Sequence, residues 1–264
     1  MSGDVTVPVM RRRGAGLDAL AIEEPLEIEV EGHPVAALMR TPGDDLDLVM
    51  GFLHTEGFVE LPDDIAALAH CQDQRRRHRE NRVKVRLAPG APDIASRLEA
   101  ARRALYGSSS CGLCGKVSIE QIFERVSPMP KTPAPDLKDV VLLPERLRGE
   151  QALFARTGGV HGAALIDASG RWRGVKEDVG RHNAVDKIIG SVLAADGERP
   201  EGSTLVVSGR VGFEIVQKAA LARVAVLVAV GAATSLARQL AEEAHLHLFT
   251  WVRQGEGMYH PFDT

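Results

Sequence analysis

The run Val224-Ala225-Val226-Leu227-Val228-Ala229-Val230 carries no polar side chain over seven residues. That is far short of the roughly 20 apolar residues a membrane-spanning helix needs. In a strand, successive side chains point to opposite faces, so a wholly apolar strand must be covered on both. Segments with helical spacing flank it, Phe213 to Ala222 and Ser235 to Ala244, the second with Leu236 and Leu240 on one face. Thr204 to Val207 reads as another short buried strand, Leu246 to Trp251 as the final strand, and Asn183 to Leu193 as a helix. Ala163 to Ile166 and Trp172 to Val175 flank Asp167-Ala168-Ser169-Gly170, a hairpin signal. Strands alternating with helices predict an α/β arrangement, a parallel or mixed sheet with helices on both faces.

The first third reads as a smaller α+β unit. Leu26, Ile28 and Val30 alternate with Glu27 and Glu29, the pattern of a half-buried strand. Glu31-Gly32-His33-Pro34 turns the chain and Val35 to Met39 pairs back. Thr41-Pro42-Gly43-Asp44-Asp45 starts a helix with acids in its first turn, ending at Gly57. Val83 and Val85 to Leu87 predict a strand, and Ile94 to Tyr106 a helix. Arg75-Arg76-Arg77-His78-Arg79 reads as a solvated loop. Ser127 to Asp136 holds Pro128, Pro130, Pro133 and Pro135, which exclude a helix or a central strand. The expected organisation is therefore residues 1–126, a linker at 127–143, and residues 144–264. Pro144 opens a helix expected to run to Arg156, with Gly158 just past its end.

Polar residues gather where the C-terminal strands end, in Glu177 to Asn183, Ser208-Gly209-Arg210 and Gly231 to Ser235. In open α/β sheets ligands bind at such ends. Helix N-termini there offer free N–H groups to anions, and Arg181 and Arg210 add forked donors suited to phosphate. A phosphorylated or nucleotide-like ligand is expected. The alternative is that Gly180 and Gly209 only make turns and the arginines only form ion pairs.

Three cysteines are too few for a disulfide scaffold. With no secretory signal behind Arg11, Arg12 and Arg13, a reducing cytoplasm is expected. A net charge of -4 argues against a general nucleic-acid binder, and no apolar run is long enough to span a membrane. Two of the cysteines form Ser-Ser-Ser-Cys111-Gly-Leu-Cys114-Gly-Lys116. Small flanking residues leave the thiols reachable, and Lys116 favours the thiolate, which is both nucleophile and metal ligand. A structural zinc site lacks a second pair, since only Cys71, beside His70, remains. A zinc deaminase uses His-x-Glu with Pro-Cys-x-x-Cys. His54-Thr55-Glu56 matches the first part, but Ser110 stands at the proline position. Thioredoxin-like motifs follow a strand, which this pair does not. A sulfur carrier, holding sulfur as a persulfide on one thiol and using the second to release it, suits the small-residue flanks.

Longer stretches resemble one family, the FdhD/NarQ formate dehydrogenase accessory sulfurtransferases. Glu23-Glu24-Pro25-Leu26, Met39 to Asp45 and Gly51-Phe52-Leu53-His54-Thr55-Glu56-Gly57 are similar to its N-terminal signature. Ser110-Cys111-Gly112-Leu113-Cys114-Gly115 is similar to its cysteine loop. Thr157-Gly158-Gly159-Val160-His161, Glu177 to Lys187 and Ser208-Gly209-Arg210 are similar to its C-terminal signatures. The resemblance implies a protein that takes sulfur from a cysteine desulfurase. It passes that sulfur to the bis-molybdopterin guanine dinucleotide (Mo-bis-MGD) cofactor for a formate dehydrogenase, without a metal of its own. It also implies a homodimer and a cytidine-deaminase-like C-terminal domain with a mixed sheet. Cys111 and Cys114 become the catalytic candidates. Arg181, His182, Asn183, Ser208, Gly209 and Arg210 become cofactor-binding candidates, with Trp251, Val252, Arg253, Gln254, Gly255 and Glu256 of a C-terminal segment. The chain departs from the family pattern in Arg253 to Tyr259, at Gly212 and in Gly231 to Thr234. Rival readings are a zinc-dependent deaminase-like hydrolase and a molybdenum-cofactor chaperone that transfers no sulfur.

Overall fold

A computed structural model of the chain describes residues 3–11, 14–74, 78–91, 94–95 and 126–262. Arg12, Arg13, Arg75 to Arg77, most of the helix expected at Ile94 to Tyr106, Cys111, Cys114 and Lys116 lie outside the described residues. The chain opens with a hairpin of β1 (Asp4–Arg11) and β2 (Gly14–Ala21). A four-stranded sheet follows, built from β3 (Glu24–Val30), β4 (His33–Arg40), β5 (Ile65–His70) and β6 (Arg82–Leu87) in the order β4-β3-β6-β5. Its strand β3 buries Leu26, Ile28 and Val30, as the alternation requires. Helix α1 (Asp45–Thr55) covers this sheet with Leu48, Val49 and Leu53.

The C-terminal sheet has six strands: β7 (His161–Ile166), β8 (Trp172–Asp178), β9 (Thr204–Val207), β10 (Val226–Ala229), β11 (His247–Arg253) and β12 (Glu256–His260). Their order is β12-β11-β10-β9-β7-β8. The strands β9, β10 and β11 are parallel to one another, while β7 runs antiparallel to β8 and β9, and β12 to β11. One face is covered by α5 (Arg181–Asp196), α6 (Phe213–Leu221) and α7 (Ser235–Glu243). The other carries α2 (Leu137–Val140) and α3 (Leu143–Glu150). The apolar runs split between these two cores by strict alternation. Leu205, Val207, Leu227 and Ala229 enter the first, and Val206, Val226 and Val228 the second. That is why the four residues of β10 are all apolar.

Two expectations are corrected. Leu246 to Trp251 is not the end of the sheet, because β11 continues to Arg253 and a two-residue turn returns the chain as β12. Gln254 and Gly255 of that turn have φ of 54° and 79°, the paired left-handed conformation of a type I′ hairpin turn. The helix expected from Pro144 to Arg156 is broken at Gln151, and α4 (Ala152–Thr157) restarts beyond it. The cause is remote: the Glu177 carboxylate accepts the N–H groups of Leu153 and Phe154, both at 2.8 Å, and caps the new helix with negative charge. The proline-rich segment is pinned to the C-terminal sheet. Met129 is buried in its core, its N–H donates to Ala244, and the His247 ring meets the Thr132 carbonyl at 2.9 Å.

The two sheets are joined through α1 and α5. These helices touch backbone to backbone at Gly51 and Gly190, where a side chain on either would overlap the Asp186 or Asp47 carbonyl. Gly51→Ala and Gly190→Ala should each lower the unfolding free energy by about 3 kcal/mol in urea titrations, since nothing but backbone can yield. Gly149, in α3, faces open space without a left-handed backbone; Gly149→Ala should instead raise it by up to about 0.8 kcal/mol.

Candidate functional site

The strand order places the polar loops on one edge of the six-stranded sheet. The ends of β8, β9, β10 and β11 lie there. So does the start of β7, because β7 runs the opposite way. The loops are linked through backbone. Gly231 N–H donates to the Gly209 carbonyl at 3.1 Å, and Trp251 N–H to the Gly231 carbonyl at 3.1 Å. A Cβ on Gly231 would sit 2.8 Å from the Gly209 carbonyl oxygen, and one on Gly209 would sit 3.2 Å from His161 Nδ1. Neither glycine has a positive φ. Close approach to backbone, not turn conformation, requires glycine at Gly231, whereas the neighbour of Gly209 is the His161 ring.

At one end of this edge, α5 begins with Arg181 and His182. The turn that delivers them is organised by Asp178, whose carboxylate accepts Gly180 N–H at 2.8 Å, Asn183 Nδ2 at 2.9 Å and Thr41 N–H at 3.1 Å. Lys187 Nζ lies 2.8 Å from the same carboxylate, both groups fully buried. Asn183 therefore turns inward, and its amide also donates to the Met39 carbonyl. Arg181 Nε and His182 Nε2 are buried without a hydrogen-bond partner, the condition of groups that a ligand or water would complete. Ser208 Oγ accepts Gly162 N–H, and Arg210 is exposed at the rim. His161, absent from the sequence-derived candidates, packs against Gly209, as does the Arg181 Cβ. Burial, then the Arg181 charge, lowers its pKa against the opposing pull of Asp178. Sequence reasoning counted strand ends alone, so the start of an antiparallel strand escaped it.

The C-terminal candidates occupy the other end, four strand spacings or about 19 Å from β8. Trp251 is 40% exposed, with φ 55° at an irregularity between β11 and β12. The Arg253 guanidinium lies 4.9 Å from its ring centre, within cation–π range. Gln254, Gly255 and Glu256 are exposed in or beside the hairpin turn. Val252 is buried in the core and presents only backbone. The candidates thus form an elongated row of donors and one aromatic face, cationic at both ends.

His54-Thr55-Glu56 lies elsewhere, at the end of α1. His54 is buried with Nδ1 2.9 Å from the Glu60 carbonyl. Thr55 and Glu56 both bond Lys218. Cys71 is buried, and His70 Nε2 is 3.7 Å from Asp45. Among the described residues, no group of three or more His, Cys, Asp or Glu side chains is arranged to hold a metal ion.

Residues 21–260 match the FdhD/NarQ family. The chain belongs to that family. The sulfur carrier protein FdhD of Anaeromyxobacter dehalogenans strain 2CP-1 is 45% identical over 258 residues, covering 95% of this chain and 88% of that protein. The sulfur carrier protein FdhD of Mycobacterium tuberculosis H37Rv is 42% identical over 252 residues, covering 91% and 88%. A crystal structure from Desulfotalea psychrophila, described as a formate dehydrogenase accessory protein, has the same fold. It superposes with a TM-score of 0.72 at 22% identity and covers 97% of this chain and 95% of its own. This FdhD/NarQ chain has no helix, among the described residues, long and apolar enough to cross a membrane.

Burial gives two of the histidines of this FdhD/NarQ chain a pH signature. His54 and His182 are each lowered from 6.5 to about 4, chiefly by desolvation. A group with a depressed pKa favours the unfolded state once that state can protonate. The contribution of neutral His54 is therefore full above pH 6.5 and is lost as pH falls toward 4. His54→Asn keeps a donor for the Glu60 carbonyl but cannot ionise. In urea titrations, the stability of the unsubstituted chain relative to this variant should fall by about 3 kcal/mol between pH 7 and 4.

Proposed function

We propose that the chain is a cytoplasmic, homodimeric sulfurtransferase. In this reading it carries sulfur from a cysteine desulfurase to Mo-bis-MGD destined for a formate dehydrogenase. The observation that carries the reading is membership of the FdhD/NarQ family, with relatives named sulfur carrier proteins, in a chain that holds Cys111-Gly112-Leu113-Cys114. The strand edge supports it: a row of about 19 Å with guanidinium groups at both ends suits an elongated, nucleotide-bearing substrate. A cytidine-deaminase-like C-terminal domain is part of the same reading.

The chemistry balances with the two cysteines and a cellular dithiol as reductant. Cys111 thiolate attacks the terminal sulfur of a desulfurase persulfide, forming Cys111–S–SH and releasing the desulfurase thiolate. Cys114 thiolate then attacks Cys111 Sγ. The S–S bond to the terminal sulfur breaks, the sulfur leaves as hydrosulfide, and a Cys111–Cys114 disulfide remains. A cellular dithiol reduces that disulfide and resets the pair. Arg181 and Arg210 bind phosphate oxygens, and Trp251 offers a face to a base.

Intact mass after incubation with a desulfurase and cysteine should rise by about 32 Da, one sulfur, and the gain should vanish in Cys111→Ala. A Cys111→Ala variant that still supports formate dehydrogenase activity in cells would leave only a chaperone role. Arg181→Gln and Arg210→Gln should each weaken guanosine diphosphate binding about tenfold by calorimetry, the loss of one charge-assisted contact.

A further inference from the structure

A cluster of titratable side chains lies outside the strand edge, beside the end where α5 begins. Lys218 projects from α6 and is 5% exposed. Its Nζ lies 2.9 Å from Asp186 Oδ2, 2.9 Å from Thr55 Oγ1 and 3.2 Å from Glu56 Oε1. Thr55 Oγ1 in turn donates to Asp186 Oδ1 at 2.8 Å. Asp186 is four residues after His182 on α5, so the two share one helical face. We propose that Lys218 is a positioning residue of the strand-edge site: held by α1, it sets how the first turn of α5 presents Arg181 and His182 to a bound anion. The proposal rests on the anion-binding reading above.

Stability alone does not account for this cluster. A buried ion pair is often matched or exceeded by apolar residues of the same size, and α1 and α5 already meet at Gly51 and Gly190. The charge has a neighbour to act on. His182 is faced by Arg181 from its own helix, His161 from β7 and Lys218 from α6; burial first, then these three, hold its imidazole neutral down to about pH 4. The carboxylates of Asp186 and Glu56 are engaged by Lys218. Burial raises Asp186 to about 6, and Lys218, opposed by the same burial, is raised by the two carboxylates. At neutral pH the pair is therefore charged, and the Lys218 cation adds to burial and Arg181 in lowering His182. A neutral His182 beside the unpartnered Arg181 Nε accepts or donates one hydrogen bond to a ligand without changing the charge of the site.

The test uses the full chain and guanosine diphosphate mannose, a diphosphate diester whose charge is constant across the range studied. Histidine Cε1–H resonances give the His182 midpoint, and calorimetry gives affinity from pH 8 to 6. The unsubstituted chain should show His182 titrating near pH 4 and an affinity nearly flat over that range. In Lys218→Gln with Asp186→Asn, an uncharged pair of the same shape, the midpoint should rise, while burial and Arg181 still hold it below 6.5. Its affinity should be weaker at pH 8 and climb several-fold toward pH 6, as His182 protonates. Lys218→Arg should restore the flat profile. A midpoint near 6.5 in the unsubstituted chain, or one that stays put in a folded double variant, overturns the proposal. So does a pH dependence that survives when His182→Gln is added. No binding of the nucleotide ester to the unsubstituted chain would overturn the anion-site reading instead, while the resonance midpoints still decide the role of Lys218.

Discussion

The contact between Gly51 and Gly190 is the constraint on which the rest depends. Two helices can approach until their backbones touch only if neither carries a Cβ at the crossing, and here each glycine faces a carbonyl of the other helix. Helix α1 holds the core of the four-stranded sheet, and α5 covers the six-stranded one while carrying Arg181 and His182 at its start. Two buried lysines then cross the same junction. Lys187 joins Asp178 to the Thr41 carbonyl, and Lys218 joins Asp186 to Thr55. Each has its donors met on both sides, the condition under which a buried charge is tolerable.

Much of the fold was legible because its signals are local. The apolar runs at Thr204 to Val207 and Val224 to Val230 could only be buried strands, and Asp167-Ala168-Ser169-Gly170 could only turn a hairpin. Acids at Asp44 and Asp45 marked the start of α1, where Asp44 is the N-cap and Asp45 the first helical residue. What escaped depends on partners distant in sequence. Nothing near Gln151 announces a helix break, because the capping carboxylate comes from Glu177. The first hairpin does alternate at Val5, Val7 and Val9, but Pro8 argues against a strand unless it is an edge, and here the ribbon has only two strands.

The candidate site was legible in outline and not in detail. Strand order is enough to bring three polar loops to one edge. It does not say which side chains turn toward solvent. Asn183 and Val252 sit within the right motifs, yet one bonds Asp178 and the other fills the core. Conversely, His54-Thr55-Glu56 has the spacing of a zinc motif, but Thr55 and Glu56 hold Lys218 in the helix junction. The recognition of Cys111 and Cys114 rests on sequence and family alone, as both lie outside the described residues.

The peptide groups of Gly209, Gly231 and Trp251 make the floor of the strand edge. A floor built from main chain is nearly blind to mutation. Its donors and acceptors survive any substitution that leaves the loops in place, and Gly231, pressed against backbone, admits almost none. Divergence in what the edge recognises is thereby channelled to the rim, to positions such as Arg210, Trp251 and Arg253. Homologues can drift in preference there without relearning how to build the shelf beneath.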